Sequence, residues 1–410
     1  MAARAEKWWG WGFDDRSIPL ESRPGLHAYL RRVLELPEGD VLRVPDSTKL
    51  AVAGTRLSEF DLAMFRQTAS EERVTTADLD RLTHSVGKSY RDLLRLRLGQ
   101  LPPPPDLVIY PETDDEIRAI LDRCVERRIG VVPFGGGTSV VGGVEIADVA
   151  RAHVVLDLRR MDRVLSVDPM SLLVTVQAGI RGPSLEEGLN AHRLTAGHFP
   201  QSFEFSTLGG WIASRAAGAL SNRYGKIEDI VAGLRLITPT GAYEFRGRPR
   251  HAMGSDLLSL VVGSEGTLGV ISHATIRVHR VPEVRAFDSF LFRSFGEGLE
   301  ALRRQAQDGI APHMAYLFDE DETRLVFAAA GGPTGQGPFR DFGIRHLERR
   351  GFSFERGSLL FVAYEGAHRV VRDLQNLGRG YCKVAASVGA APAKQWATIR
   401  FESPYLRDSL

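Results

Sequence analysis

Pro133-Phe134-Gly135-Gly136-Gly137-Thr138-Ser139 follows directly on Val131-Val132, a short apolar stretch that reads as a strand. Three adjacent glycines permit positive φ and let the backbone come close to a ligand. Successive N–H groups in such a loop form a nest for an anion. Thr138 and Ser139 add hydroxyl donors, and the chemistry suits a diphosphate. Three other phosphate loops are excluded. A P-loop ends in Gly-Lys-Ser/Thr, and no lysine stands here. The dinucleotide fingerprint opens a long helix, whereas here Gly142-Gly143 interrupts and no amphipathic run follows. A kinase glycine loop needs catalytic signatures that the chain lacks. By itself the triple glycine also fits a tight structural turn, so the rest of the chain has to decide.

Two further glycine clusters lie downstream. Gly197-His198-Phe199-Pro200-Gln201-Ser202-Phe203-Glu204-Phe205-Ser206-Thr207-Leu208-Gly209-Gly210-Trp211 joins paired glycines, hydroxyls and aromatics. Ser214-Arg215-Ala216-Ala217-Gly218 continues it with small residues, as a thin wall against a flat ring requires. Gly263-Ser264-Glu265-Gly266-Thr267-Leu268-Gly269-Val270-Ile271 leads into a strand. Ser264 is no nucleophile elbow, because that motif would put glycine where Val262 stands. A lone histidine such as His198, taken without its surroundings, is more often structural than catalytic.

Around these loops the pattern alternates. Leu107-Val108-Ile109-Tyr110 reads as a strand. Thr113-Asp114-Asp115-Glu116 reads as a capping box, with Glu116 reaching back to the cap. Ile117, Ile120, Leu121, Cys124 and Val125 follow at helical spacing, and Gly130 closes that helix. Cys124 then serves as a small core hydrophobe rather than a reactive thiol. Strands are expected at 153–158, 172–176, 234–237 and 271–278, and a helix at Pro183 to Arg193. Pro102 to Pro105 cannot sit inside a helix or central strand and mark one boundary. Val281-Pro282 marks another. The expected organisation is a helical N-terminal arm over 1–100, a central domain over 101–282 and a further α/β domain over 283–410. In the arm, Leu30, Val33, Leu34 and Leu36 suit one helix, and the Trp8, Trp9 and Trp11 indoles are expected to pack on the main body.

Composition narrows the function classes. The 410 residues are 43% hydrophobic and 25% charged, which is ordinary for a globular chain. The net charge of +1 lacks the basic excess of a general nucleic-acid binder. Two cysteines, Cys124 and Cys382, cannot build a disulfide framework or a four-cysteine zinc site, and no metal ligand set is expected. No apolar run approaches the ~18 residues of a membrane span. The N-terminus has no secretory pattern, and Asp408-Ser409-Leu410 does not match the peroxisomal signal. Cytoplasmic location is the default expectation.

The loops PFGGGTS, GHFPQSFEFSTLGGW and GSEGTLGVI, in this order, resemble the FAD-binding domain of the vanillyl-alcohol-oxidase (PCMH-type) superfamily. KWWGWGFDD at 7–15, STLGGW at 206–211 with Arg215, and YGKIED at 224–229 make the chain most similar to the alkyldihydroxyacetone-phosphate synthase family within it. The resemblance implies an α+β fold, with FAD between two α+β subdomains and an α/β cap domain carrying an antiparallel sheet. It implies that Pro133, Phe134, Gly135, Gly136, Gly137, Thr138 and Ser139 hold the FAD diphosphate. Gln201, Ser202, Phe203, Glu204, Phe205, Ser206 and Thr207, with Ser214, Arg215, Ala216 and Ala217, would line the ribityl and ring region. Glu265, Gly266, Thr267, Leu268, Gly269, Val270 and Ile271 would contact the cofactor from the other subdomain. His198 matches the family's active-site histidine, with proton transfer as its role. The implied reaction uses flavin N5 without net redox. It replaces the acyl group of an acyl-dihydroxyacetone phosphate by an alkoxy group, a step in ether-lipid synthesis.

Two departures from the family pattern shape the alternatives. Tyr316 stands where the synthases carry an arginine for the substrate phosphate, and a neutral phenol cannot replace its charge. Tyr316 is therefore a second candidate catalytic residue, and Arg324 a candidate substitute for the lost charge. The match also stops inside the family's cap, so a missing C-terminal part is expected. Besides the synthase, the candidates are an FAD-linked oxidase or dehydrogenase of a hydroxy acid or alcohol, and a flavin-binding inactive fragment. A small-molecule or lipid substrate, a peripheral membrane contact and a homodimer complete the expectations.

Overall fold

The computed structural model describes residues 5–35, 44–146, 148–247, 254–330, 338–402, 405 and 408. The chain divides into two compact units. The first comprises 1–15, 41–218 and 225–280; the second comprises 16–40, 219–224 and 281–410.

In the first unit, one sheet carries the strands Val74–Thr75, Leu107–Ile109, His153–Asp157 and Gly130–Phe134 in that spatial order. The last three are mutually parallel, because a helix, Asp114–Arg127, crosses over between Leu107–Ile109 and Gly130–Phe134. The Thr113 hydroxyl caps this helix, accepting the Glu116 N–H at 3.1 Å. Glu116 does not reach back to Thr113 as a capping box would. Its carboxylate accepts the Glu112 N–H at 2.8 Å and pairs with Arg73 at 2.7 Å, a charged partner that local spacing does not reveal. Ile117, Ile120, Leu121 and Cys124 are buried as expected, but Val125 is 58% exposed on the edge of the helix. The helix ends at Arg128 in the left-handed conformation (φ 53°), not at Gly130. Gly130 begins the next strand instead, and a Cβ there would meet the His153 ring at 2.3 Å.

The second sheet is antiparallel throughout, with strands Val164–Asp168, Leu173–Gln177, Val270–Arg277, Val231–Thr238 and Gly241–Phe245. Its centre is the strand that the third glycine cluster feeds. Both sheets share one core, in which Ile109 and Val154 of the first sheet join Val174, Leu234 and Ile276 of the second. The helix expected at 183–193 spans Gly182–Asn190. At the N-terminus Trp8 packs with Leu82, Val86 and Leu96, while Trp11 and Phe13 set their rings 6.3 and 5.6 Å from Phe205. The aromatic cluster therefore buttresses the second glycine segment. Pro102 to Pro105 lie outside helix and strand.

The second unit is built on an antiparallel sheet ordered Met314–Leu317, Ser358–Gly366, Val284–Phe292 and Ala386–Ser387. Every residue of Ser358–Gly366 is buried. Leu360, Val362 and Tyr364 pack with Phe290, Phe292 and Val371, whereas Leu359 and Phe361 pack with Phe318 and Ala393. Alternate side chains point to opposite faces of a strand, and both faces here are covered. The helix Pro24–Val33 packs in this unit through Leu26 and Leu30, and Leu36 lies outside the described residues. No helix among the described residues is long and apolar enough to cross a membrane. None of their His, Cys, Asp and Glu side chains cluster as a metal ligand set.

Candidate cofactor and active site

The triple-glycine loop is wedged between its own strand and the segment Phe205–Thr207. A Cβ at Gly135 would come within 2.3 Å of Thr207 Oγ1, and one at Gly136 within 2.0 Å of the Phe205 carbonyl oxygen. Gly137 has φ +62°, directly over the Phe134 ring. Any larger residue at these positions has to displace backbone or strain it. Among the described residues, the N–H groups of Gly135, Gly136, Gly137 and Thr138 donate to no protein acceptor. Consecutive unpaired N–H groups next to an open cleft favour a negatively charged group. Ser139 turns inward to hold its own loop, its Oγ accepting the Gly143 N–H at 3.1 Å.

Phe134 has a charged foundation. His84 lies with its ring 4.5 Å from that of Phe134 and places Nε2 2.9 Å from Asp157 Oδ2. Asp157 is fully buried and also receives Arg159 Nε at 2.7 Å. Burial opposes its charge, but Arg159 and His84 outweigh that and hold the carboxyl down to about 2.

The cleft above the loop has a volume of about 370 Å³. Pro133 to Ser139 all line it, together with Ser202, Ser206, Thr207, Ser214, Ala216, Glu265, Gly266, Gly269 and Ile271. Three segments distant in sequence thus meet around one cavity. Other expected contacts lie elsewhere. Gln201 is exposed, and Phe203 stacks near-parallel on Trp211 (14°, 6.3 Å). Arg215 is drawn away to the carbonyls of Val262 (2.9 Å) and Ser259 (3.0 Å). Glu204, Phe205 and Ala217 do not line the cleft. Thr267, Leu268 and Val270 line a second cavity of about 580 Å³, which shares Pro133, Gly266 and Gly269 with the first and adds Arg128 and Arg151. Val140, Val141, Leu158, Ala178 and Trp211 also line the first cleft, although the sequence did not single them out as ligand contacts. The paired valines follow the glycine loop immediately and are 55% and 74% exposed, and apolar side chains in that position are a usable signal.

His198 is 1% exposed, and neither ring nitrogen has a hydrogen-bond partner. Its ring lies 5.0 Å from that of Trp211, whose Nε1 donates to Ser206 Oγ at 2.7 Å. His198 does not itself line the cleft, whereas Trp211 does. Burial pushes its pKa down to about 4, against an upward pull from the Glu228 charge, so the ring is neutral near pH 7. A buried imidazole without a partner is costly to keep, which marks it as more than packing.

Tyr316 belongs to the second unit, on the strand Met314–Leu317. Its ring lies 4.0 Å from Trp396 and stacks on Phe318 (18°, 6.4 Å). Arg400 is buried close enough for the phenol to act on its charge. Arg324 is committed to Asp321 and to the Glu355 carbonyl oxygen at 2.8 Å.

Comparison with known proteins agrees with this arrangement. Residues 105–244 match the family described as FAD binding domain, and 281–402 match the FAD linked oxidases, C-terminal domain. An alkyldihydroxyacetonephosphate synthase of Dictyostelium discoideum is 34% identical over 411 residues, taking in 96% of this chain and 66% of its own length. One of Trypanosoma brucei brucei is 34% identical over 436 residues, covering 98% of this chain and 69% of its own. A solved alkyldihydroxyacetonephosphate synthase superposes with a TM-score of 0.88 at 31% identity, over 98% of this chain and 77% of that one. p-Cresol methylhydroxylase shares the fold, with a TM-score of 0.63 at 14% identity over 88% of this chain and 70% of that one. The expected loss of a C-terminal part is not borne out: residues 281–402 match the FAD linked oxidases, C-terminal domain. The cleft thus lies in a chain that aligns over nearly its whole length with the trypanosome synthase and spans more than two thirds of it, and by that likeness the chain belongs to the alkyldihydroxyacetonephosphate synthase family.

Proposed function

We propose that this protein is an FAD-dependent alkyldihydroxyacetonephosphate synthase, which exchanges the acyloxy group of an acyl-dihydroxyacetone phosphate for the alkoxy group of a long-chain alcohol. The observation that carries the reading is the nest of unpaired N–H groups at Gly135 to Thr138, opening on a cleft in the matched FAD-binding domain. The nest suits the cofactor's diphosphate. On this reading the flat walls at Ser214 and Ala216 border the flavin side, and the second cavity, with Arg128 and Arg151, takes the adenosine side.

Bound FAD supplies a nucleophilic ring nitrogen able to exchange substituents at carbon without net redox. The overall exchange breaks the bond between the dihydroxyacetone carbon and the acyloxy oxygen and forms one between that carbon and the alcohol's oxygen. The alcohol's proton departs with the fatty acid. His198 is the group available for that proton. Its unbonded ring nitrogen is neutral and ready to accept. A pKa of about 4 lies close to that of a carboxylic acid, ~4.3, so handing the proton on to the leaving carboxylate is nearly isoenergetic. Trp211 bridges the cleft and the histidine, keeping water from the ring. Because such substrates carry long alkyl chains, we place the enzyme peripherally at a membrane, and sedimentation with phospholipid vesicles tests that.

The decisive experiment is reconstitution with FAD, followed by incubation with acyl-dihydroxyacetone phosphate and an isotopically labelled alcohol. Ether product with free fatty acid and no accumulation of reduced flavin is the expected result. Flavin bleaching by a hydroxy acid, with no ether formed, would replace this reading by the oxidase one.

A further inference from the structure

Two buried groups of the first unit lack partners and lie on neighbouring segments. One is the His198 imidazole, with both nitrogens unbonded; the other is Oε2 of Glu228. The segment Ala216–Gly218 joins them. The Ala216 carbonyl accepts the Ile227 N–H at 3.1 Å, fixing the start of the turn that bears Glu228. On the other side, Gly218 packs so closely on the His198–Phe199 backbone that a Cβ would lie 2.6 Å from Phe199 N and 3.4 Å from His198 C. The histidine's own segment is pinned from the helix Gly182–Asn190. There Glu186 accepts the Thr195 hydroxyl at 2.8 Å and the Ala196 N–H at 2.9 Å. Neither side has slack to move the ring elsewhere.

The two orphans are chemically complementary. An imidazole buried among Trp211 and its neighbours cannot hold a proton without a nearby negative charge. Among the described residues, the Glu228 carboxylate is the charged group whose field reaches His198 appreciably, and it favours the protonated ring. The other charges act on Glu228. Lys226 Nζ lies 2.6 Å from its Oε1, and Arg215 acts from farther off. Burial opposes ionisation of Glu228, yet these cations hold the carboxyl below its usual range, so it stays charged. One oxygen is thus committed to Lys226 and the other faces inward unbonded.

We propose that Glu228 is the positioning residue for His198, supplying through its unbonded oxygen the charge that lets the imidazole take up and release a proton. The inference rests on the synthase reading for its role in turnover, but its physical core, the coupling of the two side chains, does not. In the reaction no proton ends on Glu228. The alcohol's proton moves to a His198 ring nitrogen and on to the leaving carboxylate, while Glu228 stays ionised throughout.

The test follows His198 by imidazole nitrogen NMR in the full-length, FAD-loaded protein, with Glu228→Gln, Glu228→Asp and Lys226→Met. In Glu228→Gln the His198 titration should move to lower pH by about one unit or more. Glu228→Asp should restore most of it, and Lys226→Met should move it upward by freeing the carboxylate. In synthase assays Glu228→Gln should lose about tenfold or more in kcat with KM and FAD content unchanged, and Glu228→Asp should recover part of it. A His198 titration identical in the parent, Glu228→Gln and Lys226→Met proteins overturns the proposal. If the parent makes no ether at all, the synthase reading fails while the titrations still decide the pairing.

Discussion

A methyl group at Gly136 would sit 2.0 Å from the Phe205 carbonyl oxygen, closer than any real contact. Gly136→Ala therefore has to push the triple-glycine loop off the Phe205–Thr207 segment. We expect it to abolish FAD retention in gel filtration and to cost about 1–3 kcal/mol of stability in urea titrations. His198→Asn has the opposite profile. The ring touches Trp211 but does not line the cleft, so FAD should still bind, while kcat falls by roughly 10²- to 10⁴-fold. Equal losses of FAD and activity would make His198 structural. Asp157 governs acid stability. Its carboxyl is depressed to about 2 from an unfolded value near ~3.9, so the stabilisation is complete above pH ~4 and is lost as pH falls through about 2. Asp157→Asn leaves the Arg159 charge uncompensated and should cost about 3–5 kcal/mol near pH 7, measurable by denaturant unfolding.

At the scale of elements, the glycine loops were legible because their requirement is local. A turn at positive φ or a backbone exposed to an anion needs glycine wherever the rest of the chain goes. Gly130 shows the limit of that logic. Its place after a helix matches a C-cap, yet its reason is the His153 ring of the neighbouring strand, a contact no local spacing encodes. Glu116 was misassigned in the same way, since the residue that claims it is Arg73, 43 positions upstream. The cap itself was readable. Thr113→Ala should therefore destabilise by about 1 kcal/mol with FAD affinity unchanged, as a chemical-denaturation curve would show. The α/β character of the second unit was readable from the sequence. The covering of its strands was not: residues 359–364 are one apolar run in sequence, and only the structure shows helices on both faces of Ser358–Gly366.

For the whole molecule, the cleft is a property of the first unit alone, so FAD should stabilise that unit selectively. With FAD at 100 times its Kd, the first unit's unfolding should become harder by about 2.7 kcal/mol, and the second's should not move. Calorimetry with and without FAD checks this, and an equal rise in both transitions would show that they unfold together. What the amino-acid order determined by itself is the set of glycine-rich loops that meet around the cleft, because glycine, hydroxyl and aromatic content act within a few residues. It also carried the family, through the order of those loops. Only the tertiary structure decided which of those residues face the cleft. Arg215 is pulled to the carbonyls of Val262 and Ser259, and Thr267 opens into the second cavity. It also decided the state of His198. Partnerless burial next to Trp211, with Glu228 as its charge, arises from segments about thirty residues apart meeting across Ala216–Gly218. A side chain's proton affinity depends on what surrounds it in space, and sequence spacing cannot specify that.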